Sequence, residues 1–163
     1  MAIDTSGLQA AANQSISRSG KIRRQIAQIW QFDPRFLAAV VAALCYHGVL
    51  SIFGTYRNTY DAYVHIFFAD HWRRGWFDHW APRWYTGFTL TSYPPLSQQS
   101  VAMVSFLTND LRLAFALVQT TAIVLMTIGM YRFAKLWVSD EAAGWAALWL
   151  VFSSAMAETI HVF

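Results

Sequence analysis

The sequence predicts an all-α integral membrane fold, with about three transmembrane helices and an outer loop carrying a short interfacial amphipathic helix. Three observations predict it. Hydrophobic residues make up 56% of the 163 positions and charged residues only 13%, too little polar side chain to face water all round. The apolar residues gather into runs long enough to cross a bilayer. The aromatic residues, 17% of the chain with eight tryptophans, crowd the ends of those runs and the loop between them, where amphipathic rings favour the headgroup layer. The formal net charge of +3 is small and most basic residues flank apolar segments, which excludes a nucleic-acid surface and names the lipid bilayer as the first partner. Cys45 is the only cysteine, so an intrachain disulfide is excluded.

Residues 1–35 read as a leader rich in Ser, Ala, Gln and Gly that ends in a basic amphipathic stretch, KIRRQIAQIW, either resting on the membrane surface or simply solvated. The first span, residues 36–54, opens with an apolar run of about 18 residues, roughly 27 Å of helix. The leader is too long for an ordinary signal-peptide n-region and no A-x-A-like site follows, so the run reads as an uncleaved anchor. His47 inside it reads as a neutral, hydrogen-bonded core histidine. Residues 55–112 form the outer loop, where Tyr93-Pro94-Pro95-Leu96 interrupts any continuing helix and the apolar stretch 101–107 is too brief to cross. The second span covers 113–131, and Gln119 within it reads as a hydrogen-bonding residue between helices. Residues 132–141 make a basic turn. A third apolar run, 142–163, reads as a further span that the sequence leaves without a polar stop.

Basic residues set the expected orientation. Arg18, Lys21, Arg23, Arg24 and Arg35 precede the first span and Arg132 and Lys135 follow the second, so the N-terminus and the 132–141 turn are expected in the cytoplasm, with the chain in an inner or plasma membrane. The outer loop carries arginines of its own, which weakens that asymmetry.

The outer loop concentrates the chemistry. If residues 61–77 are helical, the 100° step places Asp61, His65, Phe68, Trp72 and Trp76 within an arc of about 80°, with Asp70, Arg73 and Arg74 outside it. A carboxylate and an imidazole one turn apart on a packed face need a partner, since burying either alone in charged form is costly. The pair reads as a general base with its orienting group, as two ligands of a divalent metal, or as a local ion pair at a helix start. Asp78 and His79 read as a solvated turn before Pro82. If the third run is one helix, its rise of about 24 Å from Ala142 brings Glu158 and His161 to the membrane face that bears the loop, and membrane-edge ionisable residues are functional suspects.

The run Asp61-Ala62-Tyr63-Val64-His65, followed by Pro82-Arg83-Trp84, Gly87 and Tyr93-Pro94-Pro95, resembles the first outer loop of multi-span membrane glycosyltransferases of the GT-C type, including the membrane proteins labelled as 6-pyruvoyl-tetrahydropterin-synthase-related. The resemblance covers residues 36–163, with its distinctive part at 60–96. It implies an inverting transfer from a lipid-phosphate-linked sugar donor, with Asp61 as the essential carboxylate and His65 orienting it or touching the donor phosphate. It also implies a phosphate-neutralising arginine, for which Arg83 suits better than Arg73 or Arg74, and substrate contacts from Glu158 and His161. Members of that family have many more spans than these runs supply, so the sequence reads as an N-terminal fragment. The competing readings are a non-catalytic subunit of a larger membrane complex, docked through its Trp-rich loop, and part of a transporter with Gln119 and Glu158 on a polar path.

Overall fold

The computed structural model describes residues 33–92 and 95–161, and the expectations for the leader up to residue 32 lie outside the described residues, as do Tyr93 and Pro94. The described chain is mostly helical. Helix α1 spans Pro34–Ile52, its first position taken by a proline that needs no helical N–H there. Its middle, Ala43–Gly48, is a π-helical turn. Gly54 stops the helix at φ 80°, where an added Cβ would also collide with the Arg57 side chain. A 3-10 turn, Thr55–Asn58, leads into α2, Tyr60–Arg74, whose start is capped by the Thr59 hydroxyl accepting from the Ala62 N–H at 3.3 Å.

A two-stranded hairpin follows, β1 at Trp80–Ala81 paired antiparallel with β2 at Phe88–Thr89. Gly87 is required here. It sits at φ 109°, and a Cβ would fall 2.0 Å from the Trp80 ring. Helix α3, Pro95–Thr108, starts on the second proline of the Pro-Pro pair, so the pair that ends one segment begins the next. Asn109 reverses the chain at φ 55°, and Asp110 caps α4, Leu111–Ala134, by accepting from the N–H groups of Arg112 (2.7 Å) and Leu113 (3.3 Å). Helix α5, Asp140–Val151, is capped by Ser139, and α6, Ser154–His161, completes the order.

Two expectations need correction. Residues 55–112 are more than a loop with short interfacial helices: α2 and α3 have 15 and 14 residues and pack on each other and on the start of α4. Around Phe68, Trp72, Leu90, Val101 and Ala102 they build a core with large side chains. The third apolar run is also not one helix. It breaks at Phe152 and Ser153 into pieces of 12 and 8 residues, because the Ser153 hydroxyl donates to the Leu150 carbonyl at 2.8 Å and accepts from the Met156 N–H at 3.3 Å, ending one helix and starting another. The straight 24 Å rise does not exist, and among the described residues the helices long and apolar enough to cross a membrane are two, Pro34–Ile52 and Leu111–Ala134.

Away from the α2–α3 unit, the helices meet mainly through small side chains, with Phe36 of α1 stacked on Tyr131 of α4 at 4.2 Å as the large exception. Ala39 and Ala43 of α1 and Ala143 and Ala147 of α5 are fully buried, and α1 packs along α5. Gly48 brings α1 close to α4, where an added Cβ would lie 3.3 Å from the Thr120 methyl. Arg35 pairs with Glu141 at 2.6 Å and Lys135 with Asp140 at 2.9 Å, so the basic residues at the start of α1 and the end of α4 share one end of the bundle.

Candidate functional site

Asp61 lies in the first turn of α2 and is exposed, while His65, one turn further, is half-buried. The expected face is real. Phe68 and Trp72 are buried on it, together with Ala62, Val64 and Ala69, and Asp61 points along the middle of this arc. Asp61 nonetheless escapes burial because it stands at the mouth of the helix, where the hydrogen-bonded cap is Thr59. Trp76 falls beyond the helix end at Arg74 and is partly exposed. Burial lowers the His65 pKa, and the Asp61 carboxylate opposes that shift by attracting the proton; burial is the larger effect. The imidazole is therefore neutral near pH 7, beside a carboxylate that faces solvent.

Arg83 goes elsewhere. Its guanidinium donates to Asp70 at 2.6 Å and lies 5.3 Å over the Phe67 ring, while Arg74 reaches the same carboxylate at 2.9 Å. Asp70 is nine residues beyond Asp61, which on a helix is about 13.5 Å along the axis and about 180° around it. The structure thus separates Arg83 from Asp61. Arg83 and Trp84 instead fasten the hairpin to α2, since the Trp84 ring meets Phe67 and Phe68 at 5.2 and 5.0 Å. Asp78 and His79 are structural as well: the Asp78 carboxylate accepts from the Trp80 N–H, its carbonyl accepts from His71 Nε2 at 2.7 Å, and the His79 carbonyl accepts from the Leu90 N–H.

Glu158 is exposed on α6, and α6 packs against the turn Thr55–Asn58 that feeds α2. This brings the helix of Glu158 to the head of α2 by a different route from the one expected. His161 is placed in α6 by its backbone alone, its side chain lying outside the described residues. Gln119 accepts from the Ser51 hydroxyl at 2.9 Å, the interhelical bond expected of it. His47 is fully buried, and its Nε2 donates to the Val151 carbonyl at 2.8 Å. Val151 closes α5, so His47 ties α1 to the last carbonyl of that helix.

Sequence reading missed two features. An aromatic groove of about 380 Å³ runs along the flank of α2, lined by Tyr60, Tyr63, Val64, Phe67 and Trp84. Its signal was present in the 60, 63, 67 spacing, which puts three rings on one flank. Arg57 lies in the turn leading into α2, four residues before Asp61, with its side chain beside Gly54. No group of three or more His, Cys, Asp or Glu side chains among the described residues is arranged to hold a metal ion. No family model, curated protein or solved structure matches the chain.

Proposed function

We propose that the chain is the membrane-embedded N-terminal part of a GT-C-type glycosyltransferase that draws its sugar from a lipid-phosphate-linked donor. The observation that carries the reading is the exposed Asp61 carboxylate at the head of α2, one turn before a half-buried histidine whose proton affinity is lowered. The membrane reading is supported by α1 and α4, whose most apolar 18-residue windows are only 33% and 22% buried within the protein. Apolar helices so little covered by protein suit an apolar medium. With the N-terminus cytoplasmic, α2 and α3 stand on the opposite face of an inner or plasma membrane.

In this role Asp61 accepts the proton of an acceptor hydroxyl as its oxygen bonds to the anomeric carbon. The carbon–oxygen bond to the lipid phosphate breaks with inversion, and the phosphate departs with the electron pair. The neutral His65 holds the carboxylate's orientation, and the aromatic flank of α2 offers ring faces to the apolar face of a sugar. A leaving phosphate stays within a few ångströms of the carbon under attack, so Arg83 in its Asp70-bound position does not serve it; Arg57 and the N-terminal N–H groups of α2 are the positive groups at that end.

The test is sugar transfer from a polyprenyl-phosphate donor by membranes containing the protein. Asp61→Asn should remove activity by at least about 100-fold while the protein still accumulates in the membrane. Wild-type-like transfer by the variant overturns the proposal. A second reading, a non-catalytic subunit of a membrane complex, draws on the exposed rings of Phe77 and Tyr85, and it expects Asp61→Asn to change nothing.

A further inference from the structure

The aromatic groove on α2 ends beside a group of charges that the transfer step leaves unused. Tyr60 stands at its head, next to Asp61, and Phe67 at its foot, about 10.5 Å further along the axis. Asp70 follows Tyr63 by seven residues, which on a helix returns to within about 20° of the same direction, so its carboxylate lies below the foot of the groove. Two guanidinium groups meet it there, Arg74 at 2.9 Å and Arg83 at 2.6 Å, and two positive charges against one negative leave a net charge of one. Arg83 is the member that turns to the groove. Its guanidinium stands 5.3 Å over the ring of Phe67, and the next residue, Trp84, forms a wall. The Arg83 side chain is 44% exposed; its Nη2 donates to Asp70, whereas Nε and Nη1 have no acceptor among the described residues.

We propose that this groove seats an acidic glycan as the acceptor, with the carboxylate of a uronic acid held by Arg83 and a hydroxyl of the neighbouring sugar ring presented to Asp61. The inference rests on the transferase reading above. The groove's volume of about 380 Å³ falls at the small end of the range for small-molecule pockets, which suits a short stretch of glycan. Its rings offer faces to the C–H face of a sugar, and the charge at its foot selects which sugar.

A neutral glycan would leave the free Arg83 donors without a partner. A phosphate monoester would bring a second negative charge towards Asp70 that the net single positive charge does not balance. A carboxylate carries one charge, and its two oxygens match parallel N–H groups of the guanidinium fork. Separation sets the register. Arg83 stands over Phe67, about 9 Å along the axis from Asp61 and further than one ring spans, so the attacking ring and the acidic ring are neighbours.

The experiment titrates the full chain, held in phosphatidylcholine nanodiscs, with three probes followed by calorimetry: nitrophenyl glucuronide, the uncharged nitrophenyl glucoside, and the phosphate monoester of that glucoside. The glucuronide should bind at least about tenfold more tightly than the glucoside, and Arg83→Gln should bring the two within about twofold. Asp70→Asn removes the carboxylate that competes for Arg83, so it should tighten the glucuronide and leave the glucoside as it was. That change is a gain, which a merely disturbed hairpin does not imitate. Tyr63→Ala should weaken both probes. Equal binding of glucuronide and glucoside, a preference that survives Arg83→Gln, or tighter binding of the phosphate monoester overturns the proposal. Sugar transfer that depends on Asp61 without a glucuronide preference removes the acidic acceptor and keeps the transferase. A preference lost in Arg83→Gln, in a chain that transfers no sugar, removes the transferase reading and the acceptor role with it.

Discussion

The α2–α3 unit and the α1–α4–α5 bundle are built from the same chain by different means. The first buries Phe68, Trp72 and Leu90 completely and surrounds them with Phe67, Trp84 and Phe88, as a water-facing domain does when hydrophobic area drives assembly. The second closes on Ala39, Ala43, Ala143 and Ala147 around one large stacked pair, Phe36 on Tyr131 at 4.2 Å; each region also buries polar side chains, Gln98 and Ser105 in the first and His47, Ser51 and Thr127 in the second. Thr127 donates to the Ile123 carbonyl, one turn back in its own helix, while His47 and Ser51 each bond across to another helix. Small side chains and polar bridges are what hold helices together where the surroundings are as apolar as the side chains themselves. The difference teaches that stability in the two regions answers to different substitutions.

The largest expected effect is in the first region. Trp72→Ala removes a side chain only 1% exposed and takes away the indole N–H that donates to Gln98 at 3.3 Å, leaving a cavity and a buried amide. A loss of about 3–5 kcal/mol in the unfolding of the α2–α3 unit is expected, read by limited proteolysis between residues 60 and 108 across a denaturant series. Loss of stability in the bundle of equal size would break the comparison. In the second region His47→Leu keeps the volume but removes the hydrogen bond to the Val151 carbonyl. The expected cost is about 1–2 kcal/mol, read as a lowered unfolding midpoint in bicelles with proteolysis of the α2–α3 unit unchanged.

The two regions were also unequally legible in the sequence. The long apolar helices announced themselves by run length, and α1 and α4 lie within two or three residues of the expected bounds. Gln119 and His47 followed from the cost of leaving polar groups bare among apolar ones. The break at Ser153 did not, because a serine in an apolar run is silent until its hydroxyl chooses the backbone over solvent. On α2, periodicity gave the buried face and the position of Asp61 on it. It could not say that Asp61 lies too near the helix start to be covered. Arg83 was preferred because Arg73 and Arg74 lie off the Asp61 face, whereas its partner is decided by the hairpin, a tertiary event that Gly87 and Trp84 control and helical spacing does not encode.

A smaller effect separates polar bridges from packing inside the bundle. Ser51→Ala removes the hydroxyl that donates to Gln119 but leaves the helix–helix contact at Gly48 intact, so a loss of about 0.6 kcal/mol is expected in bicelle unfolding. A loss as large as that for His47→Leu would mean that Gln119 has no other way to satisfy itself.

The smallest effect is a titration. The folded pKa of His65 lies below the ordinary histidine value of 6.5, so between the two the unfolded chain binds more protons than the folded one, and stability rises with pH. The contribution is complete above about pH 6.5 and declines as pH falls through that value towards the folded pKa. Asp61→Asn deletes the charge that draws the proton to His65, which moves the folded pKa lower still and widens the window of acid sensitivity. The shift of the His65 ring resonance with pH reads this directly, and a pKa that rises in Asp61→Asn would show that the two side chains do not share a field.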